Sequence, residues 1–110
     1  MLFRSEEALE VWIPFVALGE IKAGFLGGNP RRRGHNETLP LRFLRLPSVG
    51  VLYADRETTD VYSRIFFQLR QAGTPIPAND LWIASLAIQH ELSLFTRDSH
   101  FSKLPQVSQL

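Results

Sequence analysis

Three acidic residues stand where a fold of alternating strands and helices could use them for chemistry. Asp98 follows an apolar run that ends at Thr96, and Asp80 opens the apolar helix that leads into that run. Glu20 lies inside an earlier helix. Clustered carboxylates repel one another, and a bound divalent cation removes that repulsion. Oxygen ligands favour Mg²⁺ or Mn²⁺, so the three acids suit metal-assisted hydrolysis of a phosphodiester.

Each of these acids also has a purely structural interpretation. Asp80 would be stabilised at a helix start by the helix macrodipole. Asp98 would favour a turn through its side chain. Glu20 would be a solvated helix acid. Spacing alone favours these structural roles, because acids are common at helix starts and after strands.

Composition limits the classes of protein that the chain can belong to. The 110 residues suit a single domain spanning 1–110, and 45% hydrophobic with 21% charged residues is ordinary globular usage. A net charge of +1 means that any nucleic-acid contact must come from a local patch. The absence of cysteine excludes disulfides and thiolate metal sites and indicates a reducing cytoplasm. No apolar run reaches the length of a membrane span.

Strand and helix signals alternate along the chain. Strands are predicted over residues 11–13, 49–53 and 92–96, with a last edge strand over 107–110. Helices are predicted over residues 14–25, 37–46, from Asp55 or Glu57 to Ala72, and 80–90, the last with Asn79 as its N-cap. This alternation predicts an α/β fold with a parallel sheet and helices on both faces.

The alternation also predicts where two of the acids meet. A helix runs antiparallel to the strand that follows it in a βαβ unit, so its N-terminus shares one rim of the sheet with the end of that strand. Asp80 and Asp98 should therefore lie close together, at the rim where open α/β sheets bind ligands. The helix over residues 80–90 is apolar almost all round and should be deeply buried.

Other polar residues lie near these acids or in an exposed loop. Asn79 and Thr96 could hydrogen-bond the acids and orient them without binding the metal themselves, although ordinary helix capping would also explain Asn79. An arginine run could contact RNA phosphates or form a solvated basic loop; its members are Arg31, Arg32 and Arg33.

The three histidines, His35, His90 and His100, lack metal-ligand spacing. His100 is near Asp98 and could touch a substrate, but a structural use in the turn is the favoured interpretation.

Three motifs carry a resemblance to a known family. The string PANDLWIA over residues 77–84, followed by FTRDSHF over 95–101, resembles the paired motifs of PIN domains of the VapC toxin type. The string LGEI over 18–21, with Ala-Gly at 23–24, resembles the first-helix motif of that family. The order and approximate separation of the motifs match as well, and the resemblance covers essentially the whole chain.

The resemblance implies a Rossmann-like PIN fold and a Mg²⁺- or Mn²⁺-dependent endoribonuclease toxin of a type II toxin–antitoxin pair. Glu20, Asp80 and Asp98 would correspond to three of the usual four acids, with RNA as substrate. It also implies a cytoplasmic homodimer that is neutralised by a small cognate antitoxin of the VapB type.

The chain departs from the family pattern before Glu20. The family begins with a central strand that ends in an Asp, followed by a helix, whereas no Asp precedes Glu20 here. Without that strand and helix, two strand edges in the middle of the sheet would be unpaired. We therefore expect the 110-residue chain to be a poor nuclease and a version extended upstream to be active. The alternative is an inactive remnant that only binds an antitoxin or a toxin partner.

Overall fold

The computed structural model describes residues 2–4, 10–27, 45–96 and 98–109. Within them, one sheet contains strands β1 (Leu2–Arg4), β2 (Val11–Pro14), β3 (Val49–Leu52) and β4 (Ser93–Phe95). The α-helices that flank it are α1 (Phe15–Gly27), α2 (Arg56–Ala72) and α3 (Ala78–Gln89). A 3₁₀ helix, Ser99–Lys103, follows β4. This arrangement confirms the predicted α/β class.

The sheet differs from the prediction in the direction of one strand. Its order is β3-β2-β1-β4; β2 pairs with β3 in parallel, but β1 is antiparallel to both β2 and β4. Only residues 5–10 separate β1 from β2. A connection that short joins antiparallel neighbours, because parallel ones need a crossover of about a dozen residues or more. Since β1 pairs on both sides, the two unpaired edges expected there are not found among the described strands.

The β2–β3 pair shows why position 50 is glycine, and it corrects the predicted role of Pro14 as a helix start. Trp12 lies opposite Gly50, and a Cβ added at Gly50 would overlap the Trp12 ring. The close approach of this ring therefore requires glycine. Pro14, predicted to open the first helix, is instead the fully buried last residue of β2. Its fixed φ suits a strand end as well as a helix start.

Helix α2 has clear signals at both ends. The Asp55 carboxylate accepts a hydrogen bond from the Thr58 N–H at 3.0 Å, while the Thr58 hydroxyl oxygen accepts one from the Asp55 N–H at 2.9 Å. This capping box satisfies two otherwise unpaired donors. Gly73 ends the helix at φ 69°, where glycine is favoured. Val61, Ile65 and Leu69 recur every four residues and form a buried apolar stripe along the helix, whereas Ala72 is exposed.

Helix α3 lies in the core, as predicted. Seven of its 12 residues are buried. Its apolar side chains share one buried cluster with Phe3 of β1, Leu94 of β4 and Phe101 of the 3₁₀ helix. The helix that carries Asp80 is thus held against the strand that leads to Asp98.

Two further predicted elements differ in outcome. The helix over residues 37–46 lies almost wholly outside the described residues, and residues 45–48 form turns. The last strand is reduced to a single parallel bridge between Leu94 and Gln109. Among the described helices, none combines the length and apolar character that a membrane crossing requires.

Candidate metal centre

Asp80 lies in the first turn of α3 and is largely buried. The helix begins at Ala78 because the Pro77 carbonyl accepts the Leu81 N–H at 3.1 Å, and Pro77 has no N–H of its own to leave unpaired. The Asp80 side chain is only 13% exposed. A carboxylate this buried requires polar partners, and the positive end of the helix dipole favours its charge.

Asp98 is fixed by backbone contacts just beyond β4. Its Oδ1 accepts the His100 N–H at 3.0 Å and so caps the 3₁₀ helix. The Asp98 N–H donates to Thr96 Oγ1 at 3.0 Å. Thr96 therefore supports Asp98 through its backbone, rather than through the carboxylate as the sequence suggested. Both contacts hold the Asp98 side chain at the carboxyl end of the strand.

His100 brings the two acids together. Its Nδ1 lies 2.6 Å from Asp80 Oδ2 and 3.0 Å from Asp98 Oδ1. One ligand atom from each residue lies within 4.8 Å of the other two. The predicted convergence of Asp80 and Asp98 is therefore present, with an imidazole between the carboxylates.

The donor set fits a divalent cation. Carboxylate oxygens and an imidazole nitrogen are both common ligands of such ions. The His100 and Asp98 side chains are 39% and 34% exposed, so an ion can reach the group from solvent. Asp80 and Asp98 supply the carboxylates that would hold it, and the His100 imidazole lies between them.

Glu20 contacts Asn79, the residue that precedes Asp80 in the chain. Asn79, next to Asp80, donates from Nδ2 to Glu20 Oε1 at 3.4 Å. Glu20 is exposed on α1 and is not a member of the three-residue group. The structure therefore brings Glu20 to the neighbourhood of the pair through Asn79 and does not make it a third converging carboxylate.

The prediction of Asn79 as an N-cap is wrong. Pro77 occupies the cap position, and no side chain caps the helix there. Because the helix starts at Ala78, Asn79 lies in its first turn and its amide is free to reach α1. The basic run at Arg31, Arg32 and Arg33 lies outside the described residues, as does His35.

The position of His100 between the two acids was not predicted from the sequence. Spacing rules compare histidines with neighbours along the chain, whereas Asp80 is 20 residues away. The short turn from Asp98 to His100 was the available signal, because two residues in such a turn can direct their side chains to one point.

The chain resembles known proteins over most of its length. The model of the PIN domain family matches residues 2–107. Ribonuclease VapC4 of Mycobacterium tuberculosis is 26% identical over 96 residues, covering 86% of this chain and 72% of that protein. Ribonuclease VapC5 of the same organism is 30% identical over 96 residues, covering 81% of this chain and 64% of that protein.

A solved structure shares the fold. It is VapBC2 from Rickettsia felis, bound to a DNA fragment from its promoter. It superposes with a TM-score of 0.79 at 25% identity, covering 90% of this chain and 72% of that one.

Proposed function

Because the chain belongs to the PIN domain family, we propose that it is a metal-dependent endoribonuclease toxin of a type II toxin–antitoxin pair that hydrolyses RNA phosphodiester bonds. The observation that carries the proposal is the convergence of Asp80 and Asp98 on one point, both within 3.0 Å of His100 Nδ1. The likeness to two proteins named ribonucleases supports RNA as the substrate.

The acids have separate parts in the proposed mechanism. Asp80, largely buried at the start of α3, and Asp98, held by the turn after β4, would hold Mg²⁺ or Mn²⁺. The bound ion would activate water and offset charge on the attacked phosphate. Glu20 is exposed and oriented by Asn79 on the same side, where it can accept a proton from an attacking water. Thr96 keeps Asp98 in place through the backbone.

The basic run is proposed as the RNA-binding part of the chain. Arg31, Arg32 and Arg33 would neutralise RNA phosphates and so position the strand without selecting its sequence. Binding should then weaken as salt rises, because counterions compete for the same phosphates.

A second candidate is a protein that only binds an antitoxin or a toxin partner and does not cleave RNA. It is favoured by the composition of the converging group, which holds two acids and a histidine while Glu20 is bonded to Asn79. RNA cleavage separates the two candidates.

We further propose two protein partners: a small antitoxin of the VapB type and a second copy of the chain. The solved relative is itself a VapBC protein. On α2, Phe66 and Phe67 are 45% and 61% exposed, which is costly for large apolar side chains that stay in water.

If Phe66 and Phe67 lie in a dimer contact, replacing both with Ser should lower the mass measured by light scattering after gel filtration. An unchanged dimer would exclude the two residues from the contact.

RNA cleavage and the chemistry of its products test the function. The full chain is incubated with a mixed RNA pool and Mn²⁺, with and without EDTA. Attack by water does not use the ribose 2′-hydroxyl, so we expect slow, EDTA-sensitive cleavage that leaves linear phosphate ends. Cleavage that survives EDTA, or products with 2′,3′-cyclic phosphate, would exclude this mechanism; no cleavage at all would favour the binding-only candidate.

A further inference from the structure

The position of His100 is determined by its own backbone and neighbours. Its N–H donates to Asp98 Oδ1, and the next residue, Phe101, is fully buried in the core. The imidazole is therefore fixed on the same short 3₁₀ helix that is capped by Asp98. Its Nδ1 faces both carboxylates instead of extending into solvent.

We propose that His100 Nδ1 is a third ligand of the cation site and that it makes the site prefer Mn²⁺ to Mg²⁺. This inference rests on the proposed metal-dependent function and goes beyond it, because it assigns a nitrogen ligand and a choice between two ions. A ligand role would explain why His100 Nδ1 faces both carboxylates, which the capping of the turn by Asp98 does not require.

The distances between donor atoms support a shared ion. Two ligands at right angles, each bonded at about 2.1 Å, have donor atoms about 3.0 Å apart. The Nδ1–oxygen distances of 2.6 and 3.0 Å are near that value. A proton on Nδ1 can bond well to one carboxylate at a time, whereas a cation among the three atoms would contact all of them.

The chemistry of the donors determines the preference. Mg²⁺ favours oxygen ligands and keeps much of its water, while imidazole suits transition metals. Mn²⁺ accepts both carboxylate oxygens and imidazole nitrogens as ligands, so it is a suitable probe ion for a site that contains both donor types. It binds such sites more weakly than the later transition metals do. Replacing an oxygen ligand by nitrogen therefore shifts the site from Mg²⁺ towards Mn²⁺.

The test measures ion binding without RNA. Free Mn²⁺ is followed by electron paramagnetic resonance as it is added to the full chain, and Mg²⁺ affinity is measured by competition. The variant is His100→Asn, whose amide can still donate a hydrogen bond to a carboxylate but offers no imidazole nitrogen. His90→Asn, an exposed histidine at the other end of α3, is the matched control. His100→Gln repeats the test with a longer amide, and circular dichroism establishes that each variant is folded.

The proposal predicts different losses for the two ions. Loss of a residue that merely orients a ligand costs about 10–100-fold in metal affinity, so His100→Asn should weaken Mn²⁺ binding at least tenfold. It should weaken Mg²⁺ binding much less, and His90→Asn should change neither.

Equal losses for both ions would show that His100 only orients the acids and would overturn this inference while leaving the proposed function intact. Unchanged Mn²⁺ binding in the folded variants would also overturn it. A wild-type chain that binds neither ion would overturn the proposed metal-dependent function and this inference together.

Discussion

Two groups of polar side chains lie at opposite ends of α3. Asp80 and His100 meet at its first turn, and the Gln89 amide at its last residue donates to Asp55 Oδ1 at 3.0 Å. Positions 80 and 89 are nine residues apart, which is about 14 Å along a helix. The group around Asp55 therefore stabilises the fold at a distance from the candidate metal centre, and the two can be tested separately.

At this residue scale, Asp55 should make stability depend on pH. The hydrogen bond from the Thr58 N–H, and then that from the Gln89 side chain, lowers the pKa of Asp55 below its usual value of 3.8. A lowered folded-state pKa adds stability above pH 3.8, which is lost as pH falls through the lowered pKa. Asp55→Asn should therefore lose less stability on acidification than the wild-type chain.

Urea unfolding near neutral pH and again below pH 3.8 measures this difference. Asp60→Asn is the control, because Asp60 is exposed on the same helix and its side chain is not part of the cap. Identical losses in the wild-type chain and Asp55→Asn would contradict the prediction.

At the scale of elements, α3 links the core to the candidate metal centre. Leu86 is fully buried on this helix, whose first turn carries Asp80. Leu86→Ala should reduce the free energy of unfolding by about 2–5 kcal/mol, because it removes buried methyl groups and leaves a cavity. Urea denaturation monitored by circular dichroism measures the loss.

The same substitution at an exposed leucine gives the matched control. Leu46 is 49% exposed in the turn before β3, so Leu46→Ala should cost much less. Equal costs at the two positions would show that α3 does not form the core in solution.

Helix patterns in the sequence predicted the elements better than their exact starts. The apolar stripe of α2 from Val61 to Leu69 and the apolar surface of α3 are both buried. The spacing of apolar residues in a helix reflects which side is buried, so it can be read from the sequence. The N-cap of α3 was predicted at Asn79 and is found at Pro77, and both residue types are common at helix starts. Local signals of similar strength cannot choose between adjacent positions.

At the scale of the whole molecule, β1 joins the two halves of the sheet. Phe3 pairs with Trp12 on one side and Leu94 on the other, and it is fully buried. Phe3→Ala should reduce stability by about 3–5 kcal/mol, whereas Arg4→Ala, at an exposed position in the same strand, should change it little. Thermal or urea unfolding that gives equal stabilities for the two variants would exclude β1 from the folded sheet.

The sequence predicted the class of fold and the meeting of Asp80 and Asp98, because both follow from βα connections that are local along the chain. It did not predict β1, since three residues are too few to show a strand period. It also did not predict His100 between the acids, because that contact depends on residues 20 positions apart. Contacts that link distant segments require the three-dimensional structure.

The proposed role of Asp80 in RNA cleavage is tested most directly by the single-turnover cleavage rate of one labelled RNA in Mn²⁺. The full chain is compared with Asp80→Asn, which keeps the shape of the side chain but removes its charge, and with Asp60→Asn at an exposed acid on α2. Circular dichroism establishes that both variants are folded. Because small misplacements of catalytic groups cost about 10²-fold, we predict a loss of that size or greater for Asp80→Asn and none for Asp60→Asn. Equal cleavage rates for the wild-type chain and Asp80→Asn would contradict the proposed metal-dependent mechanism.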